Sequence, residues 1–147
     1  MAIEERARPM TRFDTAMGHR TRVLIVDDHV GVRRAIAAFL TAAEDLELAG
    51  EAASGEEAIR LCAGILPDVV LMDISLPDMP GATATQAIHR RWPGVPVIAM
   101  CTFQEEDLVP EVLLAGATSY ILKNISVEEL THTIRASQAV QRRLVNS

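Results

Sequence analysis

Residues 67–81, PDVVLMDISLPDMPG, decide the fold class of this chain. The apolar run VVLM within this stretch contains no polar residue, which is typical of a strand covered on both faces, as in a parallel sheet. The run ends in Asp73, and a turn-rich loop follows. The segment RVLIV (22–26) has the same form and is followed by Asp27 and Asp28. Two strands that are buried on both faces are typical of the parallel sheet of an α/β protein.

The rest of the chain alternates apolar runs with stretches of helical periodicity. Ser54 and Glu57 form a capping-box pattern at one helix start, and Ser126 is the expected cap of the last helix. The predicted strands cover 22–26, 46–53, 68–73, 95–100 and 118–122, and the predicted helices cover 30–44, 55–65, 83–92, 104–116 and 127–144. This alternation indicates a doubly wound parallel sheet, whose ligands bind beyond the carboxyl ends of the strands.

Composition narrows the class of protein further. The chain has 147 residues, enough for one domain, and 49% of them are hydrophobic. No apolar run reaches the length of a membrane span, and the charged N-terminus does not resemble a signal peptide. The formal net charge of −6 argues against direct nucleic-acid binding by this chain. With only two cysteines, Cys62 and Cys101, we expect a protein of the reducing cytoplasm.

Polar residues gather at the predicted ligand-binding edge of the sheet. They are Asp27, Asp28, Asp73, Cys101, Thr102 and Lys123, the last being the single lysine of the chain. Taken alone, an aspartate at a strand end is more often a helix cap, and a lone lysine is more often solvated. Three carboxylates at one edge, however, need a cation, and Mg²⁺ suits a site with few oxygen ligands. A metal, a lysine and a nucleophilic carboxylate such as Asp73 are also what phosphoryl transfer requires.

Three stretches carry a resemblance to a known family. VLIVDDHVGVRRAI (23–36), PDVVLMDISLPDMPG (67–81) and GATSYILKN (116–124) are similar to the receiver (CheY-like) domain of two-component response regulators. Asn124, directly after the lysine, resembles the NarL/FixJ subfamily. The resemblance implies a (βα)5 flavodoxin-like parallel sheet with strand order 2-1-3-4-5.

The resemblance also implies a role for each matching residue. Asp73 is the expected phosphoacceptor, and Lys123 is expected to pair with the phosphoryl group. The expected cofactor is Mg²⁺. Its implied ligands are Asp27, Asp28, Asp73 and the backbone carbonyl of Ser75.

The chain departs from the family pattern near the end of the fourth strand. Cys101 stands where the family has Thr or Ser, and a thiol is only a weak hydrogen-bond donor. Either Cys101 or its neighbour Thr102 is therefore expected to contact the phosphoryl group. Tyr120 matches an aromatic residue that turns inward on activation. Pro110 lies inside the predicted fourth helix, where it would kink or delay that helix.

The resemblance implies a layout and a function for the whole chain. We expect a flexible N-terminal arm over 1–21, a receiver domain over 22–143 and a C-terminal tail over 144–147, with no output domain. The implied protein is a signalling phosphoacceptor that catalyses only its own phosphotransfer and slow autodephosphorylation. Its implied partners are a histidine kinase or phosphotransfer protein and a second copy of itself. Its conformational switch would control an output partner or a DNA-binding domain that this chain lacks.

Three other classes of protein fit the same residues less well. A pseudo-receiver would be an interaction module in which Cys101 has broken the relay, but Asp27, Asp28, Asp73 and Lys123 are all intact. A hydrolase of the haloacid-dehalogenase type needs a DxDx(T/V) pattern after its first strand, and DDHVG does not fit it. A flavodoxin-like FMN binder needs a phosphate loop rich in Ser, Thr and Gly at that point, which the sequence lacks.

Overall fold

A computed structural model describes residues 19–146, so most of the expected arm over 1–21 lies outside the described residues. Five parallel strands form one sheet in the order β2-β1-β3-β4-β5, which confirms the predicted topology. The strands are β1 (Thr21–Val26), β2 (Leu46–Ala52), β3 (Val69–Asp73), β4 (Val97–Cys101) and β5 (Ser119–Leu122). The helices are α1 (Val30–Ala42), α2 (Gly55–Ile65), α3 (Gly81–Arg91), a 3-10 helix (Phe103–Leu108), α4 (Val109–Leu114) and α5 (Val127–Asn146).

Each face of the sheet has its own apolar core. Successive residues of β1 point to opposite faces, as in any strand. Val23 and Ile25 pack with residues of α1 and α5, whereas Leu24 and Val26 pack with residues of α2 and α3. All five residues of β3 are buried. This two-sided burial explains why the strands appear in the sequence as unbroken apolar runs.

The region after β3 differs from the sequence prediction. β4 begins two residues later than predicted and takes in Cys101 as its last residue. The single helix predicted over 104–116 is instead the 3-10 helix followed by the short α4. Pro110 lies in the first turn of α4, where a helix has no partner for its backbone N–H. The proline therefore delays the α-helix rather than kinking it.

The predicted helix caps at Ser54 and Ser126 are confirmed. The Ser54 hydroxyl accepts a hydrogen bond from the Glu57 N–H at 3.2 Å, and the Ser126 hydroxyl accepts one from the Glu129 N–H at 3.1 Å. α5 continues to Asn146, through most of the segment expected to be a tail. Among residues 19–146, none of the helices combines the length and apolar character that a bilayer span requires.

Gly81 allows α3 to begin directly against the end of β3. An added Cβ at this position would lie 2.3 Å from the carbonyl oxygen of Asp73 and 2.7 Å from the Cα of Ile74. Both are backbone atoms, which cannot move aside as a side chain can. The Gly81 N–H also donates a hydrogen bond to the Ile74 carbonyl at 2.9 Å. Because Gly81 has no side chain, its backbone can lie close to that of Asp73 and Ile74, and this close approach shapes the loop after Asp73.

We expect Gly81→Ala to destabilise the fold by at least about 1–3 kcal/mol, the usual cost of forcing an extra methyl group into a packed site. Gly64→Ala is the matched control, because no atom beyond the backbone of its own helix lies within 4 Å of an added Cβ at that position. There the alanine should be neutral or stabilise the helix by up to about 1 kcal/mol. Urea unfolding followed by circular dichroism measures both, and equal stability of the two variants would contradict the prediction.

Candidate functional site

The carboxyl edge of the sheet brings the predicted site residues together. Asp27 and Asp28 follow the last residue of β1, Asp73 is the last residue of β3, and Lys123 follows β5. Backbone hydrogen bonds fix these positions: the Asp27 N–H donates to the Ala52 carbonyl at 3.0 Å, and the Lys123 N–H donates to the Cys101 carbonyl at 2.9 Å. The parallel strands therefore place these four residues at one edge of the sheet.

A buried ion-pair network forms the centre of the site. Lys123 Nζ lies 2.8 Å from Asp27 Oδ2 and 3.1 Å from Asp73 Oδ1. The two carboxylate side chains are 0% and 1% exposed, and that of the lysine is 16% exposed. The Ser75 N–H donates a second hydrogen bond to Asp73 Oδ1 at 3.1 Å. One ammonium group thus serves two buried carboxylates, which leaves negative charge in excess.

The electrostatics of Asp73 follow from this excess. Burial, with a smaller contribution from the nearby Asp27, raises the pKa of Asp73 to about 6 against the opposing effects of the Ser75 N–H and Lys123. Burial acts to lower the pKa of Lys123, but its contacts with Asp27 and Asp73 outweigh this and hold that pKa above its usual value. Asp73 Oδ2 is buried and has no hydrogen-bond partner among the described residues. It is the oxygen with capacity for a new partner.

The site has the donor set of a divalent-cation site. Asp27, Asp28, His29 and Asp73 each offer a ligand atom, and these atoms lie within 4.8 Å of one another. Carboxylate oxygens and excess negative charge suit a hard cation such as Mg²⁺. The buried, unpartnered Asp73 Oδ2 fits such an ion as well. Asp27, Asp28 and Asp73 are therefore the side chains that would hold it, together with the backbone carbonyl of Ser75 predicted from the sequence.

His29 belongs to this cluster, although the sequence analysis did not single it out. Its Nδ1 lies 3.1 Å from Asp27 Oδ1 and 3.2 Å from Asp28 Oδ1. Its backbone N–H also donates to Asp27 Oδ1 at 2.8 Å. The signal was available, because a histidine that directly follows two aspartates at a strand end shares their loop.

Cys101 and Thr102 occupy different environments. The Cys101 side chain is fully buried, and burial, reinforced by Glu106 and Glu105, raises the pKa of its thiol. Thr102 is exposed and directly precedes the 3-10 helix, and its backbone carbonyl accepts a hydrogen bond from the Glu105 N–H at 3.0 Å. Tyr120 lies on β5 with 42% of its surface exposed, so its ring is not packed into the core.

Glu105 is a second residue that the sequence analysis missed. Its Oε1 accepts a hydrogen bond from the Thr102 N–H at 2.9 Å, and its Oε2 accepts one from the Ser75 hydroxyl at 2.7 Å. Burial acts to raise the pKa of Glu105, but these hydrogen bonds and the charge of Lys123 hold it below its usual value. The first contact follows the Thr-x-x-Glu capping pattern of 102–105, which the sequence displays.

Comparison with known proteins assigns the family. Residues 23–135 match the model of the response regulator receiver domain. The chain therefore belongs to the receiver-domain family of two-component response regulators, as its motifs predicted. Receiver domains of this family bind Mg²⁺ at an acidic pocket and interact with histidine kinases or phosphotransfer proteins.

Individual relatives agree with this assignment. The chain is 43% identical over 116 residues to the transcriptional regulatory protein LiaR of Bacillus subtilis, covering 79% of this chain and 55% of LiaR. The chain spans about half the length of the curated relatives it matches.

Solved structures show the same fold. The response regulator domain of Thermotoga maritima CheB superposes with a TM-score of 0.76 at 30% identity, covering 82% of this chain and 98% of that one. A LuxR-family response regulator from Aurantimonas sp. SI85-9A1 gives the same TM-score and identity, with 82% and 86% covered. The receiver domain of the putative response regulator NarL from Mycobacterium tuberculosis gives a TM-score of 0.75 at 27% identity, with 84% and 98% covered, which fits the predicted likeness to the NarL/FixJ subfamily.

The raised pKa of Asp73 predicts that its negative charge lowers the free energy of unfolding, and that this effect depends on pH. Between the ordinary pKa of 3.8 and about 6, the folded state binds more protons than the unfolded state, so this group lowers stability as pH rises. Asp73→Asn should therefore stabilise the cation-free protein above pH 6, on the order of 2–3 kcal/mol. The gain should vanish below about pH 4.

Urea unfolding at several pH values, with EDTA present, measures this effect. Asp45→Asn is a control of opposite sign, because the hydrogen bond from Arg135 lowers the pKa of Asp45. Loss of the Asp45 charge should therefore give no gain in the free energy of unfolding at neutral pH. A lower stability of Asp73→Asn than of the wild type at pH 7.5 would contradict the predicted cost.

Proposed function

We propose that this chain is the phosphoacceptor receiver of a two-component system, with Asp73 as the residue that is phosphorylated in the presence of Mg²⁺. The observation that carries the proposal is the buried Asp73 carboxylate, which has one oxygen held by Lys123 and the Ser75 N–H and the other without a partner. Asp27 and Asp28 add the negative charge that a divalent cation needs at this position.

The transfer step follows from these positions. A carboxylate oxygen of Asp73 attacks the phosphorus of a phosphohistidine on a kinase or phosphotransfer protein. The new O–P bond replaces the P–N bond, and the donor imidazole keeps the electron pair and takes up a proton from solvent. Lys123 holds Asp73 in place and offers positive charge to the transferred group. Mg²⁺, when bound, supplies further positive charge to the phosphoryl oxygens.

The consequence of phosphorylation is a change at the β4–α4 face. We assign the contact with the phosphoryl group to Cys101, because it is the last residue of β4 and pairs with Leu122, directly before Lys123, whereas Thr102 lies beyond the strand and is exposed. Tyr120 lies on the neighbouring strand β5 and is exposed in the described conformation, which fits a ring that can turn inward. The weak thiol donor of Cys101 makes this coupling less complete than a hydroxyl would.

The proposed partners follow from the family. A histidine kinase or phosphotransfer protein delivers the phosphoryl group, and the chain acts on itself rather than as a turnover enzyme. Control of an output partner or DNA-binding domain, and weak homodimerisation on phosphorylation, are part of the same proposal. LiaR is a transcriptional regulator by name, which supports this kind of output. The free thiols of Cys62 and Cys101, both buried, are consistent with a reducing cytoplasm.

The proposal predicts that acetyl phosphate and Mg²⁺ will phosphorylate the wild-type protein and not Asp73→Asn, because the substitution removes the attacking oxygen. Intact-mass spectrometry measures the transfer, and EDTA should suppress it, since the carboxylates then lack their cation. Asp107→Asn, at an exposed position of the 3-10 helix, is the control and should be phosphorylated as the wild type is. Phosphotransfer that persists in Asp73→Asn would favour the pseudo-receiver.

Cys101→Thr should increase the activated population of the phosphorylated protein about fivefold, because a hydroxyl makes a stronger hydrogen bond to a charged oxygen than a thiol. NMR signals of Tyr120 and β5 measure the two populations. Thr102→Ala is the companion variant and should leave them nearly unchanged. If Cys101→Thr has no effect while Thr102→Ala abolishes activation, Thr102 is the residue in contact with the phosphoryl group.

A further inference from the structure

One carboxylate outside the cluster of Asp27, Asp28 and Asp73 joins the loop after β3 to the loop after β4. The Glu105 carboxylate accepts one hydrogen bond from the Ser75 hydroxyl at 2.7 Å and another from the Thr102 N–H at 2.9 Å. Ser75 belongs to the loop after β3, and Thr102 directly follows β4. The Ser75 contact spans 30 residues of sequence, so it is a tertiary contact and not part of local helix capping.

This carboxylate is closely linked to the proposed phosphorylation site. Ser75, which holds Glu105 through its hydroxyl, holds Asp73 Oδ1 through its backbone N–H at 3.1 Å. Glu105 is also close enough to Lys123 to interact with its charge. A phosphoryl group on Asp73 would add further negative charge to this region and would compete for the same donors and the same lysine.

We propose that Glu105 is a carboxylate clamp that stabilises the unphosphorylated state by occupying the Ser75 hydroxyl and the Thr102 N–H, so that phosphorylation of Asp73 must release it. This inference rests on the proposed function of Asp73. Glu105 is a positioning residue, because it acts through Ser75 and Thr102 and does not touch Asp73. The clamp opposes phosphorylation in two ways, by holding donors and by like-charge repulsion.

The clamp and simple helix capping predict different results for Glu105→Gln. A glutamine oxygen can still accept the Thr102 N–H, so capping survives, but the negative charge is lost. If Glu105 is a clamp, Glu105→Ala should be phosphorylated by acetyl phosphate and Mg²⁺ about tenfold faster than the wild type, and Glu105→Gln, which loses the charge but keeps the Thr102 contact, should show a smaller increase. Asp107→Asn, which removes one negative charge from an exposed position of the same 3-10 helix, should keep the wild-type rate.

A second measurement is independent of the rate. The side-chain carboxyl carbon of Glu105 and the amide of Thr102 should both shift in NMR spectra when the wild type binds beryllofluoride and Mg²⁺, because the clamp opens. Equal phosphorylation rates of Glu105→Gln and Asp107→Asn, or an unmoved Glu105 signal in the beryllofluoride complex, would overturn the clamp while leaving the proposed function intact. Failure of every variant and of the wild type to accept a phosphoryl group would overturn the proposed function and the clamp with it.

Discussion

The contact of Lys123 with two buried carboxylates is the constraint on which the site depends. Removing ions from water is costly, and removal of one partner from a buried pair leaves the other uncompensated. The lysine follows β5, yet it contacts carboxylates at the ends of β1 and β3. These contacts form only when β1, β3, β4 and β5 are all paired in the sheet. The two apolar cores supply the stability that allows such a network to exist. Burial raises the pKa of Asp73 against the opposing effect of Lys123, and the excess negative charge of the network suits a cation.

Much of the fold and of the candidate site could be predicted from the sequence. The unbroken apolar runs around Asp27 and Asp73 indicated strands covered on both faces, and the alternation with helices indicated the doubly wound sheet. Since parallel strands end at one edge, the residues after them had to converge, whatever their rotamers. The helix caps at Ser54 and Ser126 were also predictable, because such contacts lie within a few residues of sequence.

The features that the sequence did not predict are the helix boundaries after β4, the contact between Ser75 and Glu105, and the position of His29. The sequence predicted one helix over 104–116, because its periodicity does not reveal that Pro110 fits only the first helical turn. The bond between Ser75 and Glu105 joins two loops whose approach is determined by the strands beneath them, so no local pattern could show it. His29 is a different case, because a single histidine beside two aspartates carries no metal-ligand spacing of its own, and only the loop geometry places its ring against both carboxylates.

The separation of the two cores by the sheet has a consequence for how proteins of this kind diversify. Residues of α1 and α5 contact one face, and those of α2 and α3 contact the other, while the acidic pocket lies at the edge. Substitutions in distant, independently packed regions add in their effects on stability. The outer surfaces of the helices are therefore free to drift toward new partners while the chemistry at the edge is preserved. Related proteins can therefore acquire different binding partners while they keep the same phosphoacceptor site.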